Sequence, residues 1–260
     1  MFLRFLSFIV VVFFASSVHA ISNIESQRPG PPPEGWSGNI ELSASGKSGD
    51  VDEDRYSAGG RLTFKADNNL VFGMLNGQQT SSRNIKTADE FFAHARWVHQ
   101  YSPRVAVEGF VQFQENEFAN LLSRYLAGGG GRFELFEKPD SYSFSLGLGA
   151  FHEWERTDLG GFTESERDWR ANSYISYRHQ LNEQVNWFNT VYYQPAFDDT
   201  RDYRMLWDTG LMVRLTGALH LRISYNWRRN SNPPQNLDAD PIIDRAKTNI
   251  QYVTAFRYEF

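Results

Sequence analysis

The sequence predicts an all-β fold: a single antiparallel transmembrane β-barrel of about twelve strands over residues 36–260. Three observations carry that expectation. From Trp36 to Phe260, apolar and polar side chains alternate with period two, the pattern of strands with one apolar face. The connections between these segments alternate between tight turns and longer polar loops, as the hairpins of a membrane barrel do. Aromatic residues make up 15% of the chain, a load that suits the girdles where a barrel wall meets the membrane interfaces.

The first twenty residues read as a secretory signal. Arg4 supplies a positive charge, Phe5 to Phe14 is an almost unbroken apolar run, and Ala15-Ser16-Ser17-Val18-His19-Ala20 offers small residues for cleavage after Ala20. That run is too short to span a membrane as a helix, and no later stretch is longer. Residues 21–35 follow as a linker on the periplasmic side. Their Pro29-Gly30-Pro31-Pro32-Pro33 run cannot join a ladder and reads as a plain extended spacer.

Strands are expected at residues 36–47, 54–66, 69–81, 89–101, 104–115, 120–137, 141–154, 166–180, 184–195, 202–215, 218–229 and 246–260. Tight turns fall at Asp67-Asn68, Ser102-Pro103, Lys138-Pro139-Asp140, Leu181-Asn182-Glu183 and Thr216-Gly217. Longer polar connections fall near 48–53, 82–88, 116–119, 155–165, 196–201 and 230–245. An even strand count places both termini beside the short turns, in the periplasm, with the long loops extracellular. The Gly128–Gly131 run lies inside a strand. It has no strand-loop-helix setting for a phosphate cradle, so it permits a close approach or a bend of the sheet.

The alternation assigns faces. Val105, Val107, Val111 and Phe113 point outward, opposite Glu108, Gln112 and Gln114. Leu219, Leu221, Ile223, Tyr225 and Trp227 point outward, opposite Arg222 and Arg228. A soluble sandwich alternates in the same way; the signal, the loop-length pattern and the C-terminus favour the barrel. Extended along the chain, this assignment puts Arg96, Arg124, Arg132, Arg170, Arg178, Arg204, Arg214, Arg222, Arg228 and Arg257 in the lumen, with Glu108, Glu134, Asp208 and Glu259. Arginine keeps its charge, so a basic lumen inside an acidic protein is expected. Either it is hydrated and favours anions, or its guanidiniums pair across strands and fill the interior. The last strand ends Phe256-Arg257-Tyr258-Glu259-Phe260. Its outward aromatics Phe256, Tyr258 and Phe260 resemble the C-terminal signal by which outer-membrane barrels are recognised for insertion, which implies the barrel-assembly machinery as a partner.

Other chemistry finds little support. The chain has no cysteine, so it has neither disulfides nor thiolate metal sites. The net charge of −5 argues against nucleic-acid binding. No histidine is followed two residues later by serine, the same-face pairing of some outer-membrane lipases and deacylases, and no aspartate is followed in that way by histidine. Asp50, Asp52 and Asp54 share the first spacings of a calcium loop, but Arg55 and Arg61 stand where its glycine and glutamate belong. No enzyme, cofactor or metal is therefore expected. Acidic loop residues such as Asp198, Asp199, Asp238, Asp240 and Asp244 read as a solvated rim that cations can bridge to lipopolysaccharide.

Several segments also resemble a known family. Trp36-Ser37-Gly38-Asn39-Ile40-Glu41-Leu42 followed by Lys47-Ser48-Gly49-Asp50, Leu122-Ser123-Arg124-Tyr125 running into Gly128–Gly131, and Leu221-Arg222-Ile223-Ser224-Tyr225 followed by Asn230-Ser231-Asn232-Pro233-Pro234 are similar to the bacterial salt-induced outer-membrane proteins, a family of unknown function. Asp202-Tyr203-Arg204 fits the same pattern. The chain departs from it at Gly49-Asp50, where Gly-Asn is expected, and at Trp97-Val98-His99, where tyrosines are expected. The resemblance implies an outer-membrane barrel of a Gram-negative bacterium and no catalytic residues. Three functional classes stand: a small porin-like diffusion channel, a non-conducting structural or salt-stress envelope protein, and an outer-membrane hydrolase.

Overall fold

The computed structural model describes residues 24–25, 32–47, 53–82, 85–116, 120–159, 162–233 and 247–260. The expected signal, the Asp50–Asp52 loop and Asp238, Asp240 and Asp244 lie outside the described residues.

Twelve strands form one closed antiparallel barrel: β1 (Gly35–Lys47), β2 (Glu53–Ala66), β3 (Asn69–Ser82), β4 (Ile85–Ser102), β5 (Val105–Asn116), β6 (Leu121–Lys138), β7 (Tyr142–Asp158), β8 (Thr163–Gln180), β9 (Val185–Pro195), β10 (Tyr203–Arg214), β11 (Leu219–Asn230) and β12 (Thr248–Glu259). Each strand pairs with its neighbours in sequence, and β1 closes on β12. Closure leaves no sheet edge, the condition for strands to cross a bilayer. Every expected strand is present. The largest differences are at the long-loop ends, where β4 begins earlier, β7 runs to Asp158 and β8 starts at Thr163. Polar residues there were read as loop, but both faces of a strand that rises beyond the membrane can be polar. At the other end, Asp67 and Asp140 adopt positive φ in the tight turns, a conformation aspartate tolerates better than most residues.

The wall is uneven in two places. β1 and β12 share only the pairs Asn39↔Glu259 to Leu42↔Phe256, extended by the reciprocal bonds of Gly38 with Phe260, so the closing seam is much shorter than any other strand pairing. Across β6 and β7 the two backbones leave no room for side chains. A Cβ at Gly128, Gly130 or Gly149 would lie 2.3–2.5 Å from a backbone oxygen of the neighbouring strand, so the close approach needs glycine at those positions.

Outward residues such as Leu42, Val111, Tyr252, Phe256, Tyr258 and Phe260 are exposed on the outer wall, as alternation requires. A concavity of about 1120 Å³ lies on this outer face. Small residues at Ala58, Gly60, Gly73 and Ala95 hollow it out, and Phe91 and Trp154 help to line it. Its mostly apolar lining suits lipid chains.

Candidate functional site: the ion-filled lumen

Inside the wall, charge is concentrated in three clusters. The first lies toward the long loops. Glu153 (β7) accepts from Arg124 (β6), from Arg204 (β10) and from Arg170 Nε (β8) at 2.7 Å. Glu155, two residues on and therefore on the same face, accepts from Arg204 Nη2 at 3.1 Å. Arg170 Nη2 also donates to Asp202 at 2.6 Å. Arg124, Arg170 and Glu153 are almost wholly buried. Such a cluster is tolerated only because each charge has several partners.

The second cluster lies at the seam. Glu41 of β1 accepts from Arg257 of β12 at 2.8 Å and from Arg222 of β11 at 3.2 Å. Arg222 also reaches Asp208 of β10 at 3.5 Å. One carboxylate thus ties three strands together across the shortest pairing in the barrel.

The third cluster has an unexpected centre. Ile24 and Glu25 lie inside the barrel, both buried, ahead of the first strand. The Glu25 carboxylate accepts from Arg96 Nη1 (β4) at 3.0 Å and from Arg132 Nη1 (β6). Its carbonyl oxygen accepts from Arg178 Nη2 (β8) at 2.7 Å, and its N–H donates to the Tyr192 hydroxyl (β9) at 3.2 Å. Four strands therefore hold one residue through both its side chain and its backbone. Arg96 also pairs with Glu108 of β5 at 2.9 Å, and Arg132 with Glu134 at 3.3 Å. Arg96 Nε donates to His94 Nε2, which leaves Nδ1 as the protonated nitrogen facing Gln112. Tyr174 lies over Gly147, where a Cβ would meet its ring, and its hydroxyl donates to Glu108. The description of residues 21–35 as a plain spacer does not fit Ile24 and Glu25.

The predicted lumen residues can now be placed. Arg96, Arg124, Arg132, Arg170, Arg178, Arg204, Arg222, Glu108, Glu134 and Asp208 belong to the clusters or touch them. Arg228 is half-buried on the inward face of β11, away from these partners. Arg214 is exposed at the short-turn mouth and donates to the Glu183 carbonyl. Glu259 is half-buried beside the seam. Sequence reasoning missed the four carboxylates that centre or complete the clusters: Glu25, Glu41, Glu153 and Glu155. It also missed Arg55 and Arg61 on the inward face of β2. Of the two states expected for the lumen arginines, hydrated or paired across strands, the described residues show extensive pairing. Between the first and third clusters, a cavity of about 20 Å³ remains, lined by His94, Arg96, Arg124, Phe151 and Tyr192 among others, with room for about one water.

The fold has known counterparts. The outer membrane channel described as COG4313 from Pseudomonas putida F1 superposes with a TM-score of 0.56 at 13% identity, over 90% of this chain and 99% of that one. The translocator domain of the autotransporter NalP from Neisseria meningitidis gives 0.55 at 10% identity, over 87% and 89%. The NanC porin gives 0.50 at 10% identity, over 85% and 98%. At such identities the likeness is one of fold: the barrel of outer-membrane porins and autotransporters. No characterised protein matches this chain by sequence. The family model described as "Protein of unknown function, DUF481" matches residues 40–260, nearly the whole barrel, and the chain belongs to that family.

Proposed function

We propose that this protein is a channel in the outer membrane of a Gram-negative bacterium that passes small anionic solutes. The observation that carries the reading is the lumen itself. Guanidiniums from β4, β6, β8, β10, β11 and β12 project into it, and each already holds a carboxylate or carbonyl oxygen, the chemistry by which they would hold a small anion. Close-spaced sites that exchange partners are how charged rings conduct. The likeness to one protein described as an outer membrane channel and to another described as a porin supports the same class. On this reading the first twenty residues are the export signal. The outward Phe256, Tyr258 and Phe260 present the chain to the assembly machinery, and the acidic loops meet lipopolysaccharide through bridging cations.

One observation favours a second reading, a non-conducting envelope barrel: the cavity between the first and third clusters has space for about one water. Planar-bilayer recording of the refolded mature chain under a KCl gradient separates the two. A channel gives discrete openings with an anion-selective reversal potential, whereas a folded but silent barrel favours the second reading. In a conducting barrel, Arg214→Glu with Arg228→Glu places carboxylates near opposite ends of the path without touching the buried clusters. The reversal potential then moves toward the cation value. An unchanged value in that variant contradicts the anion preference.

A further inference from the structure

The third cluster has the form of an occupied binding site. Its wall groups are fixed to four different strands, and Glu25 meets them from a segment that is not part of the sheet. Arg96 and Arg132 each keep a wall carboxylate of their own, Glu108 and Glu134, so neither depends on Glu25 alone for a counter-charge. Glu25 nevertheless takes an arginine donor on each carboxylate oxygen, the arrangement a free carboxylate would adopt between two guanidiniums. With cleavage after Ala20, Glu25 is also the fifth residue from a free chain end, so its withdrawal requires no strand to separate.

We propose that Arg96 and Arg132 form a carboxylate-binding site in the lumen, that Glu25 occupies it as a tethered ligand whose backbone is held by Arg178 and Tyr192, and that small carboxylate solutes displace it. The solute class is an aliphatic carboxylate: two guanidiniums take the charge, and the buried apolar wall side chains of Phe72, Val98 and Leu206 lie within the barrel interior around the site. Tethering by a short linker gives an effective concentration on the order of millimolar, so a weak free ligand competes poorly while Glu25 is in place. The consequence for transport rests on the channel reading; the binding does not. If the barrel conducts, removal of Glu25 by solute clears its middle, and the transported solute opens its own path.

The test uses propionate, which reproduces the Glu25 side chain as a free molecule, and propionamide as its neutral counterpart. Calorimetric titration of the folded mature barrel is expected to show propionate binding about tenfold tighter, or more, to Glu25→Ala and Glu25→Gln than to the parent protein. Propionamide should not bind either variant. Arg132→Lys in the Glu25→Ala background keeps a charge but loses the paired guanidinium geometry, and should weaken binding. Equal propionate affinity with and without Glu25, or no binding to a correctly folded Glu25→Ala barrel, overturns the site. Bilayer recording of the same samples keeps the two ideas apart. Tight propionate binding by a silent barrel supports the site and overturns the channel, whereas current unaffected by Glu25→Ala, without binding, overturns the site and leaves the channel.

Discussion

Glu153 and Glu25 are both deeply buried carboxylates clasped by arginines from several strands, yet one is part of the wall and the other comes from a segment ahead of it. Around Glu153 the three arginines it binds are all strand residues, so these charges are brought together only when β6, β7, β8 and β10 have paired. Around Glu25, Arg96 and Arg132 each have a second carboxylate in the wall itself, Glu108 and Glu134. The same chemistry therefore has two uses. Ions supplied by the sheet hold the barrel in shape, and an ion supplied by a tether can leave.

The difference sets the order of expected effects. Glu153→Ala leaves Arg124, Arg170 and Arg204 buried without their shared carboxylate. It should cost about 3–5 kcal/mol, the usual penalty for breaking a buried ion cluster from one side. Urea unfolding, with the gel-mobility shift of the folded barrel on heating as readout, would measure it. Glu25→Ala in the same assay should cost about 1 kcal/mol or less, because Glu108 and Glu134 remain and water can enter where the segment withdraws. Equal losses in the two variants would erase the distinction between wall and tether.

Gly147→Val comes next. A Cβ there would sit 2.0 Å from the Tyr174 ring, so the ring must swing away from Glu108 and Arg132. Overpacking of this kind costs about 1–3 kcal/mol. The loss should be accompanied by weaker retention of Glu25, read as solvent exposure of its neighbour Ile24.

The smallest effect is expected outside the membrane. Lys65 Nζ lies 2.9 Å from the Glu34 carboxylate, and the Asp67 N–H donates to it at 3.1 Å. The bond from Lys65 holds the Glu34 pKa below its ordinary value. A lowered folded-state pKa means that this stabilisation is present above the ordinary carboxylate pKa and is lost as pH falls through the folded value. Glu34 is exposed, so solvent screens the pair. Glu34→Gln should leave the unfolding midpoint unchanged at pH 7 and remove only a small part of the acid sensitivity, visible as earlier amide exchange in the β2–β3 turn. A large shift in the midpoint would mean that the segment before β1 anchors the barrel as firmly as the wall clusters do.

What could be read from the sequence follows the same division. The twelve strands were legible because lipid on one side and ions on the other impose period two on every crossing. Glu153 and Glu155 were within reach: the alternation Ser143, Ser145, Gly147, Gly149 continues through Phe151 to both glutamates, but the expected strand stopped at residue 154, so Glu155 fell in the connection and Glu153 was not placed in the lumen. Glu41 lies on the inward face of β1 by the same rule, between outward Ile40 and Leu42. Glu25 carries no such signal. It precedes a proline run, belongs to no periodic segment, and meets Arg96, Arg132 and Arg178 at separations of 71, 107 and 153 residues. Only the apparent excess of lumen arginines pointed to missing carboxylates, and nothing local said which ones.

The central claim is that the segment carrying Glu25 lies in the lumen and can leave it. The chain has no native cysteine, so Ile24→Cys introduces a single thiol at a position only 3% exposed. The most direct measurement is the rate at which a bulky charged maleimide labels that thiol in the folded barrel, in the parent background and with Glu25→Ala. The account predicts strong protection in the parent and labelling at least tenfold faster once Glu25 is replaced. Fast labelling in the parent barrel, at the rate of the unfolded chain, would contradict it.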